Sequence, residues 1–178
     1  MDLGHHLANA NIEQIVALLL MEEKLGGFHF NDSKYGDDDL TVGSINPYQL
    51  FLIFNELVTG MDERKMNHAT ELGWMIDASH NVKDPMEDLL QSVEAIMIAY
   101  AQALLVDKKS LTTAQLNNDV AQCQEILQHA YRTDLRPLVA EARFRSGGAL
   151  QPLNTYRKLN IRRELIISRG SKTVATGL

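Results

Sequence analysis

Apolar positions along this chain change period several times, and each change predicts an element. Ile12, Ile15, Val16, Leu19 and Leu20 recur at helical spacing behind Asn11, which suits an N-cap. Glu13 fits the first turn of that helix, Lys24 fits the last, and Gly26-Gly27 ends it. Gly27 to Phe30 is a short apolar run, which predicts a buried strand, and Leu3 before Gly4 reads as the end of an earlier one. Ser44 and Asn46-Pro47 announce a second helix, with Pro47 in its first position. Tyr48, Phe51, Leu52, Phe54, Leu57 and Val58 give that helix a wide apolar face, and Gly60 is expected to close it. Asp62 to Leu72 reads as a short polar helix or connection. Gly73-Trp74-Met75-Ile76 is a second short apolar run and ends in Asp77. Asp84-Pro85 then opens a third helix, with Met86, Leu89, Leu90, Val93, Ile96, Met97 and positions 99–105 as its expected buried side.

Strand end, helix, strand, helix, strand, helix is the alternation of parallel βα units, so the predicted class is α/β over residues 1–105. Beyond Leu105 the pattern turns wholly helical. Thr112 or Thr113 is expected to cap a helix from Ala114 to about Tyr131, and Thr133 or Asp134 another that runs to Arg143. Ser146-Gly147-Gly148 ends it, and a last helix is expected around 155–167. Residues 106–178 are therefore predicted to be a C-terminal helical extension. Its basic residues Arg157, Lys158, Arg162, Arg163 and Arg169 suit a packing or subunit-contact arm.

Composition narrows the function. A net charge of −6 gives no support to a nucleic-acid or anionic-membrane role. The single cysteine, Cys123, excludes an internal disulfide framework and fits a reducing, cytoplasmic setting. The start has no basic region followed by an apolar core, which predicts no signal peptide. No apolar run reaches the ~18 residues of a membrane span. No glycine fingerprint follows a strand, so nucleotide binding lacks support.

The candidate chemistry sits where the strands end. Asp2, His29 and Asp77 each close a strand-like segment, and ligands at the C-terminal ends of parallel strands mark the sites of barrels and open α/β sheets. Asp2 belongs to Asp2-Leu3-Gly4-His5-His6, and a chain that opens on such residues predicts a fragment of a longer protein. After Phe30 come four carboxylates within eight residues: Asp32, Asp37, Asp38 and Asp39. Such a loop repels itself unless a cation sits in it, and carboxylates with imidazole suit Mn, Fe, Co or Zn better than Ca or Mg. Asp2, His5, His29, Asp37, Asp39 and Asp77 exceed what one tetrahedral site needs. They fit two neighbouring divalent ions, or one ion and an activating shell, with Lewis-acid chemistry on a carbonyl or hydroxyl or activation of a water. That chemistry leaves isomerisation and hydrolysis both open.

Three motifs carry a resemblance: Asp2-Leu3-Gly4-His5-His6, the run from Gly27-Phe28-His29-Phe30-Asn31-Asp32 through Gly36-Asp37-Asp38-Asp39, and Ile76-Asp77-Ala78-Ser79-His80-Asn81. Together they resemble the broad-specificity bacterial L-rhamnose isomerases, within the xylose-isomerase-like (β/α)8 TIM barrels. The likeness covers the first 105 residues well and the rest loosely. It implies that the chain is the last three βα units of such a barrel plus a helical extension. It also implies that Asp2, His29 and Asp77 hold a structural ion that also binds substrate hydroxyls, while His5, Asp37 and Asp39 hold a catalytic one. The catalytic set is then His5, Asp37, Asp39 and Asp77. His6, Asp32, Asp38 and His80 become supporting or loop residues. In that family the two ions, usually manganese, orient an open-chain sugar while a hydride moves between C1 and C2. A glutamate on strand five and a substrate-contacting lysine would lie upstream of Met1. The expected partner is a small sugar, with no nucleic acid and no membrane, and the longer protein is expected to be a homo-oligomer. The chain alone is expected to be inactive. The competing expectations are a metal-dependent hydrolase on a related barrel and a non-catalytic metal-binding remnant.

Overall fold

The computed structural model describes residues 1–7, 9–36, 38–63, 72–78 and 83–170. Among them the chain forms α1 (Ile12–Met21), β1 (Gly27–Phe30), α2 (Pro47–Glu63), β2 (Gly73–Ile76), α3 (Pro85–Leu105), α4 (Lys108–Leu116) and α5 (Val120–Arg132). Then follow α6 (Arg136–Arg145), α7 (Pro152–Lys158) and α8 (Ile161–Arg169). By chain contacts it divides into two compact units, Met1–Val139 and Ala140–Leu178.

In the first unit, Asn11 caps α1 by accepting from the Gln14 N–H at 2.9 Å, and Asp84 caps α3 by accepting from Met86 and Glu87. β1 and β2 are parallel, with Gly27 opposite Gly73 and Phe30 opposite Ile76. On the other side of β1 the first residues also run parallel. Asp2 bridges to His29, with His29 N–H donating to the Met1 carbonyl at 2.8 Å and Leu3 N–H to the His29 carbonyl at 3.1 Å. The ladder continues past β2, where the Asp77 N–H donates to the Phe30 carbonyl at 3.0 Å. Phe28 and Phe30 alternate into the core, and the Phe30 ring stacks on Phe54 of α2.

Several elements differ from expectation. Gly60 lies inside α2, not at its end; a Cβ there would come within 2.9 Å of Leu20 Cδ1, so the glycine serves the close approach of α1 to α2. The part of the polar 62–72 stretch from 64 to 71 lies outside the described residues. β2 leaves Trp74 43% and Met75 54% exposed, and among the described residues no strand pairs with its other edge. On α3 the buried positions are Asp88, Ser92, Ala99, Gln102 and Ala103, while Met86, Val93, Leu104 and Leu105 are exposed.

The single helix expected from Ala114 to Tyr131 is two, α4 and α5, separated where Asn118 takes a positive φ of 54°. Their caps are Asp107 and Asp119, each accepting an N–H at 3.0 Å. Thr112 and Thr113 sit mid-helix, where their hydroxyls donate to the carbonyls of Lys108 and Lys109. Val106, Leu111 and Ala130 pack with Phe51 of α2, so the first unit continues past residue 105.

In the second unit, the Gly148 N–H closes the end of α6 on the Arg143 carbonyl at 2.9 Å. The helix expected at 155–167 is broken into α7 and α8 at Asn160, whose φ is 50°. Arg157, Lys158, Arg162, Arg163 and Arg169 lie on exposed positions. No single helix among the described residues is long and apolar enough to cross a membrane.

Candidate metal centre

Strand geometry assembles the first group of side chains. Phe28 and Phe30 are buried, so His29 between them must point to the opposite face of β1. Asp2 is His29's parallel bridge partner and shares that face. Met75 is opposite His29, and Asp77, two residues on, returns to the same side. As a result Asp2, His29 and Asp77 each offer a ligand atom within 4.8 Å of the others. His29 Nδ1 lies 3.4 Å from Asp2 Oδ2 and 3.2 Å from Asp77 Oδ2. Two donors bound to one ion at ~2.1 Å and at right angles stand ~3.0 Å apart, so this spacing fits a divalent ion with little adjustment. An imidazole between two carboxylates is also the donor set that first-row transition metals accept.

The other oxygen of Asp2 faces a second group. Asp2 Oδ1 accepts from His5 Nδ1 at 2.6 Å, from the Asn31 amide at 3.1 Å and from the Gly4 N–H at 3.2 Å. Burial pushes the Asp2 carboxyl up, but the bonds from His5 and Asn31, the His5 charge and the Gly4 N–H outweigh it and hold its pKa below 3.8. The other ring nitrogen of His5, Nε2, lies 3.7 Å from Asp39 Oδ1. Asp39 itself takes a left-handed backbone, φ 44°. His5 and Asp39 are thus brought together beside Asp2. Asp37, expected to complete their set, lies outside the described residues, as does His80.

The acidic loop is not uniformly short of counter-charge. Asp32, 7% exposed, accepts from the Ser33, Ile45 and Asn46 N–H groups at 2.9, 2.8 and 2.9 Å. It thereby gathers the donors that precede α2. Asp38 accepts from the Lys34 and Tyr35 N–H groups at 2.9 and 2.6 Å and closes the loop on itself. Backbone donors thus satisfy these two carboxylates, which lie outside the ligand set expected from the sequence. His6 lines a neighbouring cavity of about 480 Å³ with Leu7, Tyr35 and Gln49, and Asp2, His29 and Asp77 do not line it.

Sequence reasoning missed two residues. Asn31, 4% exposed, donates its amide to both Asp2 Oδ1 and Asp39 Oδ1, the latter at 3.0 Å, and accepts from the Gly4 N–H at 2.5 Å. Its signal was its place just beyond the His29 strand. Asp88, fully buried in the first turn of α3, accepts from Thr41, which follows the Asp39 loop, and from Lys83, which precedes α3. Its signal was a carboxylate among the apolar positions of α3.

No protein-family model matches the chain. It is 51% identical over 176 residues to a protein of Mesorhizobium japonicum named "Probable sugar isomerase", an alignment covering 99% of this chain and 40% of that one. A second protein with that name, from Rhizobium meliloti, is 51% identical over 168 residues, covering 94% of this chain and 39% of its own length. The chain thus spans about two fifths of the length of the curated relatives it matches.

Proposed function

We propose that this chain is the C-terminal portion of a metal-dependent sugar isomerase. The longer protein interconverts aldose and ketose, L-rhamnose to L-rhamnulose and related sugars, on a (β/α)8 barrel of which this chain carries the last three βα units. The observation that carries the reading is the convergence of Asp2, His29 and Asp77 on one face of three adjacent parallel segments. The names of the two similar proteins favour sugar isomerisation over hydrolysis, which the donor set alone leaves open.

In this reading Asp2, His29 and Asp77 hold one divalent ion, and His5, Asp37 and Asp39 hold a second, with manganese the best candidate for both. When bound, such ions polarise the carbonyl and hydroxyl oxygens of an open-chain sugar. The chain's own residues fix where that polarisation acts. The Asp2 carboxylate faces both groups, one oxygen toward His29 and the other toward His5. The ladder bonds from Leu3 to His29 and from Asp77 to Phe30 set the spacing of the ligands before any ion arrives. That preorganisation would keep the ligand donors, and so any ion and sugar they held, in fixed positions; positioning of this kind supplies about 7–11 kcal/mol in well-oriented systems.

The test is turnover of L-rhamnose by the full-length protein that carries this chain. The expected result is formation of L-rhamnulose that EDTA abolishes, manganese restores and His29→Ala lowers at least about 100-fold, the scale of lost metal-site integrity. The 178-residue chain alone is expected to give no turnover. Full activity in EDTA, or hydrolysis without isomerisation, would overturn the proposal.

A further inference from the structure

We infer that Asn31 is a positioning residue that sets the separation of the two ion positions, by holding the carboxylates of Asp2 and Asp39 to a single side-chain nitrogen. The inference rests on the metal-centre reading above and adds to it a residue that binds neither ion.

The orientation of the amide follows from its surroundings. The Gly4 N–H can only donate, and it lies 2.5 Å from one end of the Asn31 side chain, so that end is the oxygen. The NH2 end then meets two groups that can only accept as carboxylates, Asp2 Oδ1 at 3.1 Å and Asp39 Oδ1 at 3.0 Å. Two oxygens bonded to one nitrogen at those distances stand no more than 6.1 Å apart. Two carboxylates this close repel each other at a site that is only partly solvated. A neutral residue with two hydrogens lowers that cost and leaves each carboxylate with lone pairs for an ion. An aspartate at position 31 would add a third negative charge, and a leucine would supply no donor.

Asn31 also joins the two chain segments that carry these ligands. Its oxygen grips the segment containing Asp2, Gly4 and His5, and its nitrogen grips the loop containing Asp39. The grip needs a bare backbone at position 4, where a Cβ would come within 2.7 Å of Asn31 Oδ1. Asp39 sits on a left-handed backbone, φ 44°, a conformation that aspartate tolerates, and the bond from Asn31 fixes where its carboxylate lies.

The experiment compares wild type, Asn31→Leu and Asn31→Asp in the full-length protein. Leu keeps the branched shape but is bulkier, and it removes every hydrogen bond; Asp is the variant that holds size constant. Asp keeps the acceptor for the Gly4 N–H, and with it the local fold, but removes both donors. Manganese binding is read by calorimetry, and the Asp2 and Asp39 carboxylates are located in metal-free crystals. The expected result for Asn31→Leu is a loss of about 10–100-fold in manganese affinity, the usual effect of removing a partner that orients ligands. In metal-free crystals of both variants the Asp39 carboxylate is expected to move away from Asp2. Wild-type affinity in Asn31→Leu together with unmoved carboxylates would overturn the inference. Should the wild type itself take up no ion, the metal-centre reading fails, and the metal-free crystals still decide the role of Asn31: displaced carboxylates support it and unmoved ones overturn it.

Discussion

Gly27→Ala tests whether the start of the β1–β2 ladder sets the ligand geometry. A Cβ on Gly27 would lie 2.3 Å from the Gly73 carbonyl oxygen, 2.8 Å from its nitrogen and 2.9 Å from its carbonyl carbon. All three atoms are backbone, so no side chain can rotate out of the way. The strands must separate at this point, and the Gly73 N–H bond to the Gly26 carbonyl, 2.9 Å, is strained or lost. Overpacking costs about 1–3 kcal/mol. A weakened ladder bond adds about 0.5–1.5 kcal/mol. The expected destabilisation is therefore about 1.5–4.5 kcal/mol, which at a urea m-value of about 2 kcal/mol/M lowers the midpoint by about 0.8–2.2 M. Gly26→Ala is the internal control, because a Cβ there meets nothing within 4 Å. It should stay within about 0.5 kcal/mol of wild type. Urea unfolding followed by circular dichroism gives the midpoints, and calorimetry with manganese shows whether the shift reaches His29 and Asp77, two and four residues from the clash along their strands. Equal midpoints for the two variants, within 0.3 M on the same order-of-magnitude m-value, would refute the steric argument.

Two further outcomes follow from single carboxylates. Asp32→Ala leaves the Ser33, Ile45 and Asn46 N–H groups without their acceptor and should cost about 2–4 kcal/mol by thermal or urea unfolding; a cost under about 0.5 kcal/mol would show that water replaces the carboxylate freely. Asp134 is held at about 2, below its ordinary 3.8, by bonds from the Arg136 guanidinium and N–H. A depressed carboxylate stabilises above its unfolded pKa, so its contribution is complete above pH 3.8 and is lost as pH falls through about 2. The melting-temperature gap between wild type and Asp134→Asn should be small at pH 6, shrink with added salt, and shrink further as pH falls from 3.8 toward 2; a gap that widens on acidification would contradict the assignment. Because the pair is exposed, salt screening keeps the effect modest.

The elements that the sequence determined are those whose cause is local. Asn11 and Asp84 cap helices because their side chains reach N–H groups two or three residues on. The runs 27–30 and 73–76 are strands because each is apolar and too short for a helix. Alternation also placed His29 opposite the faces of Phe28 and Phe30, so that its meeting with Asp2 and Asp77 was visible from strand ends alone.

What tertiary structure decided are the positions whose partner lies far along the chain. Gly60 resembles a helix stop by type, yet it stays helical because Leu20 packs against it from forty residues away. Asp32 and Asp38 cannot be told from Asp39 by composition. Backbone N–H groups claim the first two and leave Asp39 with Asn31 and His5. The sequence signals of Asn31 and Asp88 name no partner, because each acts by joining segments that only the fold makes neighbours: Gly4 with Asp39, and Thr41 with Lys83. Periodicity reports which face of an element is apolar, but which polar atom meets which is set by the approach of separate segments, and that information is spread over the whole chain.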